Sequence, residues 1–194
     1  MLRFPKLNDR VFSTLWPACV GGLGVLYASA GDGAWTRRSA IGWMMGAWGA
    51  RLAVQSLYTR ASGAPDLAAL PFRTSYFVLL TFSVFFSLPA LLAARNGAPS
   101  LSVIEIAAGA LWVVAFTLET TADRQHLRFT SVADNAGLPC PMGLWRFSAR
   151  AHDVCEVLLW TSFALFASAS PWGWIAFACP AAMVVLLFAS APRS

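Results

Sequence analysis

Long apolar runs separated by short polar breaks constrain this chain more than any motif it carries. They cover residues 11–30, 39–57, 74–94, 101–118, 153–169 and 171–191. A helix needs about 20 such residues to cross the hydrocarbon of a bilayer, so each run is the length of one crossing. The breaks are rich in glycine, proline and charge: Gly31-Asp32-Gly33, Arg60–Pro71, Arg95–Pro99 and Ser170-Pro171. Only 12% of the residues are charged, against roughly 25% in soluble domains, which excludes a water-exposed exterior. The expected fold is all-α: one polytopic membrane bundle of about six transmembrane helices over 1–194. Residues 119–152 form a loop between the fourth and fifth spans. The first run lacks an obvious small-residue cleavage site after it and reads as a retained helix rather than a signal peptide.

Orientation follows from the basic residues. With the N-terminus inside, Arg3, Lys6, Arg10, Arg51, Arg60, Arg73, Arg124, Arg128, Arg146, Arg150 and Arg193 share one side. Arg37, Arg38 and Arg95 occupy the other. That skew places both termini and the 119–152 loop in the cytoplasm. The net charge of +5 is scattered between apolar runs, which points to topology and anionic headgroups and not to nucleic acid. Cys19, Cys140, Cys155 and Cys179 show no C-x-x-C spacing, so neither a disulfide framework nor a zinc site is expected.

The second run carries Gly42, Gly46, Gly49, Ala50 and Ala53. Small residues at three- and four-residue spacing let a neighbouring helix approach closely, either within the monomer or across a homodimer. Arg51 lies about 18 Å along this helix at 1.5 Å per residue, inside the expected hydrocarbon layer. An arginine there faces the bundle interior with a partner, for which Glu119 and Glu156 are the candidates, or it snorkels to the surface. Glu105, one turn inside the fourth run, is expected to reach headgroup water and is given no role.

The chemistry-bearing stretch is Glu119–Trp160. Glu119, Asp123 and His126 follow at spacings of four and three, on one helical face. His152 and Glu156 lie four apart on the next helix, and Arg128, Arg146 and Arg150 sit in the connection. Three readings of these groups stand beside one another. They cap helix ends and pair with headgroups; they bind an anionic nucleotide, arginines on phosphate and carboxylates on ribose or base; or they ligate a metal pair. The last lacks a second Glu-x-x-His, and no metal is expected.

At these residues the chain resembles the steroid 5-alpha-reductase superfamily. The likeness rests on Glu119-x-x-Ala122-Asp123-x-Gln125, Gly143-Leu144-Trp145-Arg146-x-Ser148 and Glu156-Val157-Leu158-Leu159-Trp160. Trp48-Gly49-x-Arg51-Leu52-Ala53 through Arg60, and Ser87-Leu88-Pro89, agree with it in order and spacing. The resemblance implies a cytoplasm-facing NADPH pocket and reduction of a carbon–carbon double bond conjugated to a carbonyl, on a steroid- or lipid-like substrate. It implies cofactor contacts at Glu119, Asp123, Arg146 and Glu156. Arg128, Arg150 and His152 stand beside them as further cofactor-binding candidates. Trp48 would lie near the substrate channel, and Arg51 and Arg60 would brace it or approach phosphate; no residue is singled out as catalytic.

The chain also departs from that pattern. Where the family has Arg-His-Pro-Asn-Tyr-Phe-Gly before the last glutamate, this chain has Ala149-Arg150-Ala151-His152-Asp153-Val154-Cys155. An acid frequent early in the first helix is matched by Ser13, and the acidic stretch after the second run is reduced to Ala64-Pro65-Asp66-Leu67. The chain stops at Arg193-Ser194, where relatives continue into a polar tail. A non-catalytic descendant, holding lipid or a membrane partner in the same groove, is therefore the alternative. A third option is a methyltransferase using S-adenosylmethionine, since isoprenylcysteine carboxyl methyltransferases have a similar C-terminal core. The expected location is the inner membrane of a bacterium.

Overall fold

The structure, a computed structural model, describes residues 9–62, 76–135 and 138–189. Among these residues it is all-helical, in the order α1 (Asp9–Ala30), α2 (Trp35–Ser62), α3 (Tyr76–Phe86), α4 (Leu88–Ala93), α5 (Val103–Thr130), α6 (Ala151–Ser168) and α7 (Ala178–Ala189). Short 3-10 turns at Ala133–Asn135, Gly143–Arg146 and Gly173–Phe177 link the later helices. Among the described residues two stretches, Tyr76–Ala93 and Val103–Thr130, are long and apolar enough to cross a membrane. Arg3, Lys6, Asp66, Arg73 and Arg193, and the side chain of Arg60, lie outside what is described.

The glycines of α2 are consumed within the monomer. A Cβ on Gly49 would drive into the Pro17 carbonyl and stand 2.9 Å from the Gly21 Cα; one on Gly42 would meet the Ala28 Cβ at 2.6 Å, and one on Gly46 the Val25 side chain at 2.8 Å. All of these neighbours are on α1, so the small-residue face exists to let α1 lie against α2 at backbone distance. Pro89, in the first turn of α4, separates α3 from α4 at Ser87, because its ring is compatible only with the start of a helix.

Helix α6 is the hub. It packs on α5, α4, α7 and, through a few residues, α2. Where α1, α2, α3 and α6 meet, Trp16, Trp48, Phe86, Trp160 and Phe163 form a buried aromatic cluster. Trp48 and Trp160 cross edge-to-face at 5.1 Å, and Phe86 meets Trp160 at 4.6 Å, the offset geometry that ring quadrupoles prefer. On its own side α5 buries Ala108, Ala115 and Ala122, seven residues apart, with Glu119 between the last two. Two heptads of alanine keep that face flat for α6.

One expectation is corrected at the opposite end of the bundle. Glu105 does not reach outward: it is buried and ion-paired with Arg37, itself 2% exposed. Arg37 also donates to the carbonyls of Asn96 (3.2 Å), Ala98 (2.5 Å) and Ser100 (2.7 Å). Glu105 simultaneously closes a capping box with Ser102, satisfying orphan N–H groups at the start of α5. The pair thus clasps the α4–α5 connection onto the first turn of α2.

Candidate functional site

Helix α5 does not end at Leu118, where its apolar run ends, but continues to Thr130. The extension carries Glu119 and Asp123 on the face turned to α6, and His152 and Glu156 sit in the first two turns of α6. The two ionisable faces converge. Nδ1 of His152 lies 2.8 Å from Oδ1 of Asp123 and 3.8 Å from Oε1 of Glu119. From α2, Arg51 donates through Nη1 to Oδ2 of Asp123 at 2.7 Å and forms an ion pair with Glu119. Arg51 therefore faces the interior, as one reading of the sequence required; its partners are Glu119 and Asp123.

Glu156 completes the group from the aromatic side. Its Oε1 accepts from the Trp160 indole N–H at 2.9 Å, and its Oε2 lies 3.4 Å from the Trp48 indole N–H. Trp48 is wholly buried against Trp160 and Trp16. Exposure falls to 0% at Glu119, 2% at Asp123, 5% at Glu156 and 6% at His152. Three carboxylates, a guanidinium and an imidazole thus share one buried cluster, where each charge needs a partner to be tolerated. The phenyl ring of Phe116 covers the guanidinium of Arg51 at 5.2 Å. Within the cluster, Oε1 of Glu119 and Nε of Arg51 are buried and make no hydrogen bond among the described residues, while Nη2 of Arg51 and Oε2 of Glu119 face each other as an ion pair. Glu119, Asp123 and His152 also lie close enough to offer three ligand atoms to a metal, but the Arg51 cation already occupies the carboxylate side of that triangle.

Residues 3–193 match the family described as "Protein of unknown function (DUF1295)". The chain belongs to that family. No curated protein and no solved structure matched it.

In this DUF1295 protein much of the motif that follows the acids serves to dock a loop. Gln125 Oε1 accepts from the Leu144 backbone N–H at 2.9 Å, and the Trp145 indole donates to the Ala122 carbonyl at 2.8 Å. The Trp145 ring lies 4.8 Å from His126. Gly143 has φ +55°, and a Cβ there would run into the Gln125 amide, so a glycine is required on both counts. Ala122, Gln125 and Gly143-Leu144-Trp145 therefore hold the connection against α5, above the acids.

The arginines of that connection do not join the cluster. Arg128 and Arg146 are exposed, Arg146 resting over Phe147. Arg150 turns to the other side of α6, donating to Asp153 at 2.6 Å and to the Leu187 carbonyl at 2.7 Å. Ser13, at the place of a family acid, is buried and hydrogen-bonds the Ser56 hydroxyl at 2.9 Å. Cys155 is buried beside Glu156, and all four cysteines are free. Sequence reasoning missed Asp123 as a partner of Arg51 and the Arg37–Glu105 pair. The Ser102-x-x-Glu105 spacing was the available sign that Glu105 is committed to a helix start.

Proposed function

We propose that this is a multi-pass protein of a bacterial inner membrane, with its termini and the Asp123–His152 cluster at the cytoplasmic face. We further propose that it reduces a carbon–carbon double bond conjugated to a carbonyl, in a steroid- or lipid-like substrate, with NADPH as reductant. The likeness of its acid motif to steroid 5-alpha-reductases supports this. The observation that carries it is the His152 ring. It is fixed through Nδ1 on Asp123 at 2.8 Å, and Nε2 has no hydrogen bond among the described residues. A carboxylate on Nδ1 fixes the ring and stabilises its imidazolium form, whose Nε2–H is left for a ligand.

The residues fit an amide- and hydroxyl-bearing cofactor at one end: Oε1 of Glu119 is a buried acceptor and Nε of Arg51 a buried donor, neither with a hydrogen bond among the described residues. Glu119 and Arg51 would hold its polar groups, and the exposed Arg128 and Arg146 are cations suited to its phosphates. Bound NADPH would supply a hydride for the β-carbon of the enone. As the imidazolium that the Asp123 and Glu119 carboxylates stabilise, His152 would donate from Nε2 to the carbonyl oxygen, offsetting the negative charge that gathers there, and a proton from solvent at the α-carbon would complete the reduction. Asp123 holds the imidazole in place, and Arg51 keeps Asp123 and Glu119 compensated at the same depth. The aromatic cluster around Glu156 excludes water from that end.

A second reading has its own observation. Both oxygens of Asp123 and both of Glu156 face donors of this chain, and Arg150 points elsewhere, which suits a non-catalytic member that holds lipid or a membrane partner. Titration of the detergent-purified protein with NADPH, followed by nicotinamide fluorescence and thermal unfolding, separates the two. The reductase reading expects saturable binding that Glu119→Gln weakens at least tenfold. Absence of binding refutes it and favours the second reading, while stabilisation by S-adenosylmethionine alone favours a methyltransferase.

A further inference from the structure

On the face of α6 turned away from the acid cluster, a groove of about 370 Å³ runs between α6 and α7. Its walls are Val154, Val157 and Leu158 of α6 with Val184 and Leu187 of α7. One end alone is polar, where Ser148, Arg150 and Asp153 form the rim. An apolar trough with a single charged end matches an amphiphile, and the charged end lies with the loop that the basic residues place in the cytoplasm.

The charges at that end are of both signs and each is half committed. Nε of Arg150 is bonded to Oδ2 of Asp153, and Nη2 to the Leu187 carbonyl. Nη1 of Arg150 and Oδ1 of Asp153 make no hydrogen bond among the described residues. Both side chains remain partly open, at 39% and 25%. The internal pair fixes the guanidinium and the carboxylate side by side, so the rim presents one cationic donor and one anionic acceptor. A phosphate takes the first, and a primary ammonium the second.

We infer that this groove is a site for an aminophospholipid of the inner leaflet, a phosphoethanolamine headgroup on Arg150 and Asp153 with an acyl chain along the valines and leucines. A choline headgroup carries the same charges but no N–H for Asp153, and a glycerol headgroup offers that carboxylate only neutral hydroxyls, with no cation to balance it. The inference rests on the membrane placement proposed above and is independent of the reductase reading, since none of the groove residues touches the Asp123–His152 pair.

The test is retention of lipid. Protein reconstituted with equal parts of phosphatidylethanolamine, phosphatidylcholine and phosphatidylglycerol is taken into detergent, and bound lipid is read by native mass spectrometry. Phosphatidylethanolamine is expected at least fivefold over each of the others. Arg150→Gln and Asp153→Asn should each abolish the preference, and Val157→Trp, which fills the trough without altering charge, should abolish retention. Thermal unfolding of each variant confirms that it is folded. Free phosphoethanolamine, which lacks the chain, should fail to displace the lipid; displacement by it would overturn the trough as part of the site. Equal retention of phosphatidylcholine, or a preference for phosphatidylglycerol, overturns the inference. Failure of the membrane placement would show separately, as protein released from membranes by carbonate, and failure of the reductase reading as absence of NADPH binding with lipid preference intact.

Discussion

Removing the cation from the Asp123–His152 cluster is the most direct test of how that cluster is held. Arg51→Met keeps much of the length and apolar stem of the side chain but deletes the guanidinium that faces both Glu119 and Asp123. Those carboxylates are 0% and 2% exposed, so water cannot replace the lost charge. Breaking a buried pair by deleting one partner costs about 3–5 kcal/mol, because the other charge is left stranded. For a chain of this size each kcal/mol moves the midpoint by roughly 2–4 °C, which gives a drop of about 6–20 °C. Circular dichroism melts in one detergent read this directly. Glu119→Gln in the same background removes half of what Arg51 compensates, so the double variant should lose less than the sum of the singles, by about 0.5–3 kcal/mol. Arg51→Lys should fall between wild type and Met, since an ammonium cannot span both acids as a planar fork does. A melting point within about 2 °C of wild type for Arg51→Met, or strict additivity with Glu119→Gln, would refute the buried bridge.

Three further outcomes follow from particular contacts. Arg37→Met should cost about 3–5 kcal/mol through the stranded Glu105 carboxylate, and Arg37→Lys should recover little, because three carbonyls and a carboxylate share the guanidinium; chemical denaturation in detergent checks both. Gly49→Ala should lose about 1–3 kcal/mol by pushing α1 off α2, whereas Gly22→Ala, whose Cβ meets nothing within 4 Å, should be neutral or stabilising in the same assay. Gly143→Ala, at φ +55° against Gln125, should loosen the loop on α5 by about 1–2 kcal/mol, seen as faster proteolysis between α5 and α6, while Gly97→Ala, in open space, leaves cleavage unchanged.

The all-helical fold and the meeting of Glu119 with Glu156 and His152 were legible because both follow from periods. Apolar runs set the helices, and spacings of four set the faces. What hydropathy could not show was the length of α5: the apolar run stops at Leu118, yet Glu119, Asp123 and Gln125 keep the helix going by finding partners on α2, α6 and the docked loop. Nor could it pair Arg37 with Glu105 across 68 positions, since a chain's order carries no record of which distant charges share a burial site. The direction of Arg150 is different, because it was legible and passed over. Carried back from α6 to its N-cap, the sweep of 100° per residue puts Arg150 about 200° from His152, whereas Asp153, three residues after Arg150, lies on the same side as it. The start of one helix therefore presents two polar edges: His152 and Glu156 toward α5 and α2, the N-cap Arg150 and Asp153 toward α7. Grouping the four by sequence proximity merged two sites with different chemistry, a buried cluster closed by Arg51 and a half-open rim above an apolar trough.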